Sequence, residues 1–153
     1  MDLILWRHAE AQVAKEGQLD AGRTLTAKGE RQAQRMAEWL NQRIAHSTRI
    51  LASPALRTQQ TAKALGKAFK TVDTIAPDTS VEALLKAARW PEASEPVLLV
   101  GHQPTLGMAA SQLLCGQPLP WAIKKGAVWW LRTRDREGIS QMVLQAVQSP
   151  DCL

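Results

Sequence analysis

Val97-Leu98-Leu99-Val100 is an unbroken apolar run, preceded by the chain-breaking segment Pro91 to Pro96 and followed at once by Gly101-His102. A strand with apolar side chains on both faces belongs in the middle of a parallel sheet, where both faces are covered. Parallel neighbours cannot be joined by tight hairpins; they need crossovers, usually helical. One short run therefore predicts helices on both sides of a sheet.

The rest of the chain supplies those parts. Asp2 to Trp6 reads as a short buried strand and Arg7 to Arg23 as a polar loop. Thr26 can cap a helix from Ala27 to about Arg43, with Ala33, Met36, Ala37, Leu40 and Ile44 at helical spacing. Ile50 to Ala52 is a second strand. Ser53-Pro54 then reads as the start of a helix, serine as N-cap and proline in the first turn, with Thr61, Leu65, Ala68 and Phe69 facing the core. Val72 to Ile75 is a third strand by its β-branched alternation, and Ala76 to Thr79 a loop. Ser80 can cap a helix that aligns Val81, Leu84, Leu85 and Ala88. After the apolar strand, a helix runs from Pro104 to Cys115 and stops at Gly116. The strand-like runs Ala127 to Thr133 and Ser140 to Val147 flank Arg134 to Gly138, a hairpin loop. The prediction is an α/β three-layer sandwich: a mostly parallel sheet, helices on both faces and an antiparallel C-terminal hairpin. It forms one domain over residues 1–153.

Composition narrows the class. With 45% hydrophobic and 22% charged residues, 153 residues suffice for a packed core. Cys115 and Cys152 fit neither a disulfide framework nor a zinc spacing; the default reading is one buried thiol and one tail thiol in a reducing compartment. The N-terminal apolar run is too short for a signal core, and none is long enough to span a membrane, so cytoplasmic residence is expected. The net charge of +5 suits nucleic acid or an anionic substrate. One Phe and no Tyr leave few stacking platforms, so no nucleic-acid partner is expected.

Three segments share one grammar: a strand followed by charged or proton-bearing residues just past its carboxyl end. They are Leu3-Ile4-Leu5-Trp6-Arg7-His8, Ile50-Leu51-Ala52-Ser53-Pro54-Ala55-Leu56-Arg57 and Val97-Leu98-Leu99-Val100-Gly101-His102. Ligands of such sheets bind at the carboxyl ends of the strands. If these strands are parallel neighbours, Arg7, Arg57, His8 and His102 converge with no obvious acid among them. Such a group would repel itself unless an anion sits there, and phosphate suits the planar fork of arginine. Singly, each residue also has a plain reading: a polar strand end, a solvated arginine, a helix cap, or an arginine paired with a nearby acid.

Together the three segments resemble the histidine phosphatase superfamily, which includes phosphoglycerate mutases and acid phosphatases. L-I-L-W-R-H-A-E-A is similar to its R-H-G signature, S-P-A-L-R-T-Q-Q-T-A to its second motif and V-G-H-Q-P-T-L to its third, in the same order. The resemblance implies that His8 is a nucleophile and that Arg7, Arg57 and His102 bind phosphate. It adds Arg23, in R-T-L-T-A-K-G-E, and Gln103 as further substrate-binding residues. No metal and no cofactor is implied. His8 would attack phosphorus through a neutral ring nitrogen while its other nitrogen donates to a fixed acceptor, and water would then release the phosphate.

Departures from the pattern point to a subgroup. Ala9 stands where the signature has Gly, and its methyl group restricts the backbone of that loop. Ala11, Gln12 and Val13 stand where mutases grip a sugar phosphate. Only Asp78 and Glu82 are placed to serve as an acid for an alkoxide leaving group, and neither sits in a convincing motif. The short chain leaves no room for an inserted lid. These features most resemble the SixA-type phosphohistidine phosphatases, implying a phosphorylated protein substrate such as a histidine phosphotransfer domain. The alternatives are a phosphatase of small phosphate monoesters and a non-catalytic phosphate-binding module.

Overall fold

The apolar run lies where its composition requires, third in a six-stranded sheet of order Lys70–Thr71, Arg49–Ala52, Val97–Gly101, Asp2–Arg7, Val128–Arg136, Ile139–Gln148. The structure, a computed structural model, describes residues 1–153. In chain order the elements are β1 (Asp2–Arg7), α1 (Ala27–Asn41), β2 (Arg49–Ala52), α2 (Leu56–Lys63), β3 (Lys70–Thr71), α3 (Val81–Ala87), β4 (Val97–Gly101), α4 (Thr105–Cys115), β5 (Val128–Arg136) and β6 (Ile139–Gln148). Strands β1 to β4 are mutually parallel, and β5 and β6 form an antiparallel hairpin on the edge of β1. No helix is long and apolar enough to cross a membrane.

Strand alternation divides the core in two. Leu3, Leu5, Leu51, Val97 and Leu99 pack with Leu84 of α3 and Leu106 and Ala109 of α4. Ile4, Trp6, Ile50, Leu98 and Val100 pack on the other face with Met36, Ala37 and Leu40 of α1 and Ala62 of α2. All of β4 is buried, so each face carries a helical layer, as predicted. Register aligns the strand ends: Leu5 and Leu51 both pair with Leu99, and Val100 lies between Trp6 and Ala52.

Two predicted caps form as expected. The Thr26 side chain accepts from the Gly29 amide at 2.9 Å and Ser80 from the Ala83 amide at 3.0 Å. Gly116, at φ +83°, closes α4. Helix α2 departs from expectation. It starts at Leu56, with Ala55 as its N-cap, and the Ser53 hydroxyl accepts from the Ala55 amide ahead of the helix. It ends before Gly66, so Ala68 is exposed and does not face the core. The third strand also shifts. Only Lys70–Thr71 pair with β2, and Asp73–Ile75 form a 3-10 turn that buries Ile75 beneath α3 and α4. The hairpin is longer than expected: Arg134 to Arg136 belong to β5, and the turn is Glu137-Gly138, both at positive φ. Cys115 and Cys152 are both free and exposed; the expected buried thiol is absent because Cys115 is the last, outward residue of α4.

Candidate active site

Central placement of β4 draws three loops together. Beyond the strand ends, the Ser53 amide donates to Val100 O and the His8 amide to Gly101 O, each at 3.1 Å. The residues that follow β1 and β2 are thereby stitched to either side of β4, whose own next residue is His102. The His8 and His102 ring centroids are 5.3 Å apart, and both rings are buried.

Each ring has one nitrogen engaged. His8 Nδ1 lies 2.8 Å from Ala9 O, an acceptor only, so Nδ1 carries the proton and Nε2 the lone pair. His102 Nε2 lies 2.7 Å from Ser53 Oγ. That hydroxyl also accepts from the Ala55 amide at 3.3 Å, and its own proton, fully buried, has no acceptor other than His102 Nε2. Nδ1 of His102 then bears the hydrogen, and it is buried with no partner. Burial, followed by the positive charge of Arg57 and Arg7, lowers His8 to about 4; its bond to Ala9 O acts in the opposite direction. Burial, then Arg57 and His8, lower His102 to about 3. Both imidazoles are neutral at pH 7.

The arginines are held from behind. Arg7 Nη1 donates to Ile123 O at 2.8 Å. Burial pulls Arg7 below the ordinary guanidinium value. Arg57, on the first turn of α2, donates through Nη1 to Asp20 O at 3.0 Å and through Nη2 to Asp20 Oδ2 at 3.1 Å. The Nε atoms of Arg7 and Arg57 are buried without a partner, as is His102 Nδ1. A buried donor left unmade costs about 1–3 kcal/mol. Three such donors in side chains beside His8 form a set whose chemistry suits an acceptor-rich anion.

Asp20 corrects the expectation that no acid lies among these groups. It bridges Arg57 and Arg23, whose Nη1 donates to Asp20 Oδ1 at 3.0 Å, and the two arginines hold its carboxyl below the usual range. Arg23 also donates through Nε to Gln12 O at 2.7 Å, and its charge is among those felt by His8. Gln103 has both ends of its amide occupied. Nε2 donates to Trp121 O at 2.8 Å and Oε1 accepts from the Gly107 amide at 2.7 Å. Its side chain therefore braces the loop that carries Ile123 and bonds to neither imidazole nor either guanidinium. Asp78 and Glu82 are exposed, line cavities beside α3, and make no hydrogen bond or ion pair with the two imidazoles or two guanidiniums. Ala9 is accommodated without positive φ, its methyl group buried against Leu25 and Ala33.

Sequence reasoning missed Asp20, Ser53 and Thr61. The Thr61 hydroxyl accepts from the Ala9 amide at 3.1 Å and donates to Arg57 O at 2.7 Å, joining the first motif to the second. Ser53 and Thr61 lay inside a quoted motif but read as cap and core. Asp20 had only its three-residue spacing from Arg23 to mark it.

The site geometry and the sheet together define a phosphate-handling α/β protein, and comparison with known proteins agrees. The sequence model of the histidine phosphatase superfamily (branch 1) matches residues 3–79. The chain is 38% identical over 124 residues to an uncharacterized protein of Picosynechococcus sp., covering 76% of this chain and 75% of that one. It is 29% identical over 128 residues to the phosphohistidine phosphatase SixA of Escherichia coli, covering 78% of each. A structure of the protein histidine phosphatase SixA complexed with tungstate shares the fold at TM-score 0.80 and 24% identity, over 99% of both chains. The chain belongs to the histidine phosphatase superfamily, and within it is similar to SixA.

Proposed function

We propose that this protein is a phosphohistidine phosphatase that passes a phosphoryl group from a phosphorylated histidine on a signalling protein to His8, and from His8 to water. The observation that carries the reading is the tautomer of His8: Nδ1 is tied to Ala9 O, so Nε2 presents its lone pair beside Arg7, Arg57 and His102. In the first step Nε2 bonds to phosphorus and the bond to the substrate's ring nitrogen breaks, that nitrogen keeping the electron pair. With the substrate ring already protonated at its other nitrogen, it leaves as neutral imidazole and needs no acid from the protein. In the second step water bonds to phosphorus, the bond to His8 breaks, and inorganic phosphate leaves. Arg7, Arg57 and His102 donate to the equatorial oxygens throughout, where charge spreads in the transition state.

The acids favour this substrate over simple phosphate esters. An alkoxide must be protonated as it departs, and Asp78 and Glu82 touch none of the four central residues. Asp20 is close, but its two arginine partners keep it ionised and so a poor proton donor. The scheme routes no step through a metal. The decisive experiment incubates the enzyme with a labelled phosphohistidine protein and compares wild type with His8→Ala, with and without chelator. Acid-labile label on the wild type alone, unchanged by chelator, is expected. Equal labelling of both proteins would remove His8 from the role, and loss of labelling with chelator would require a metal.

A further inference from the structure

The guanidinium of arginine offers two bidentate hydrogen-bonding edges, and in Arg57 their use is uneven. Nη1 and Nη2, the end-on edge, are both taken by one residue, Asp20, through its backbone oxygen and its carboxylate. Nε, on the side edge, is buried and unpartnered. Asp20 is itself fixed. Its carbonyl closes the 3-10 turn by accepting from the Arg23 amide at 3.2 Å, and its carboxylate is shared with Arg23 Nη1. The Arg57 side chain is 5% exposed and that of Asp20 57%, so the carboxylate stands on the solvent side of the arginine.

Resting on the phosphatase reading above, we propose that Asp20 is a positioning residue: it clamps the end-on edge of Arg57 and turns the Nε edge toward the phosphoryl group. The clamp does a second thing. A buried guanidinium without a counter-ion is costly, and the Asp20 carboxylate keeps Arg57 neutralised without occupying the Nε edge that phosphate would use. Arg23 is bound into the same device. By donating to both Gln12 O and Asp20 Oδ1, it holds the turn against the site. Asp20 touches no reacting atom in this scheme; it acts through Arg57.

Kinetics and NMR on the full chain test this. In wild type, restricted rotation should give Arg57 resolved Nη–H signals, and added orthophosphate should shift Nε–H while leaving the Nη–H signals in place. In Asp20→Ala the Nη–H signals should average, and kcat should fall at least about tenfold from lost orientation. Asp20→Asn keeps the shape and the backbone contact and should fall between the two, which covers an alanine variant that folds poorly. A kcat within about twofold of wild type in both variants would overturn the proposal. So would displacement of Asp20 by orthophosphate, seen as loss of the wild-type Nη–H signals, because Asp20 would then be a competitor for the cradle. The NMR arm needs no turnover, so it judges the clamp even if His8 proves not to be the nucleophile.

Discussion

Replacing Ser53 with alanine isolates one atom of the mechanism. Ser53 is fully buried and its hydroxyl is the sole partner of His102 Nε2, at 2.7 Å. The buried hydroxyl has no acceptor for its proton other than His102 Nε2, so it donates there and leaves the His102 hydrogen on Nδ1, the nitrogen that the proposed mechanism assigns to substrate. In the variant, Nε2 loses its donor in a buried setting. A buried acceptor without a partner costs about 1–3 kcal/mol. With no partner at Nε2 in either tautomer, nothing holds the hydrogen on Nδ1, and a ring that moves its proton to Nε2 or turns withdraws the Nδ1 donor that the proposed mechanism aims at the phosphoryl oxygens. The same 1–3 kcal/mol, lost from the transition state, is about a 5- to 150-fold fall in kcat/KM. The serine carbonyl is held by Thr58 Oγ1 at 2.9 Å and Gln59 Nε2 at 2.7 Å, so the backbone should stay in place and the effect should belong to the hydroxyl. Turnover of a phosphohistidine protein gives the rate, and 15N NMR of the imidazoles gives the tautomer. A variant that retains kcat/KM within about twofold, or that still shows hydrogen on Nδ1, would refute the assignment.

Other expectations follow from the same geometry. The acid limb of kcat/KM should lie well below pH 6, because His8 titrates near 4 in the free enzyme; a limb centred at 6.5 would show the ring to be solvated. Both histidines have folded values below the unfolded 6.5, so the unfolded chain binds more protons as pH falls and stability declines from about 6.5 toward 4 and 3. Between pH 6.5 and 5 this amounts to about 2 kcal/mol per ring; denaturant melts should show it, and His8→Gln should remove part of it. Gly107→Ala should lower both stability and activity, the first by about 1–3 kcal/mol, because a methyl group there would run into Trp121 O and push away the loop whose Ile123 O holds Arg7. Thermal melts and kcat/KM measured together check this, and an unchanged kcat/KM would separate the loop from the site.

The amino-acid order by itself determined the layers. Apolar runs on β1 and β4, helical spacing in α1 and α3, and caps at Thr26 and Ser80 are local properties, so they can be read before anything is folded. It also placed Arg7, His8 and His102 at strand ends and Arg57 at a helix beginning, because motif and strand end are adjacent along the chain. The tertiary structure decided what lies between those groups. Asp20 comes from a loop 37 positions from Arg57 in the chain, and Ser53 meets a ring 49 positions away. Neither pairing leaves a mark in periodicity or spacing. The start of α2 was also settled in three dimensions: Ser53 faces His102 and accepts from the Ala55 amide, and the helix begins only at Leu56. Local free energies choose strand or helix within a few residues; hydrogen-bond partners for buried charge are chosen only after the sheet order has brought distant loops together.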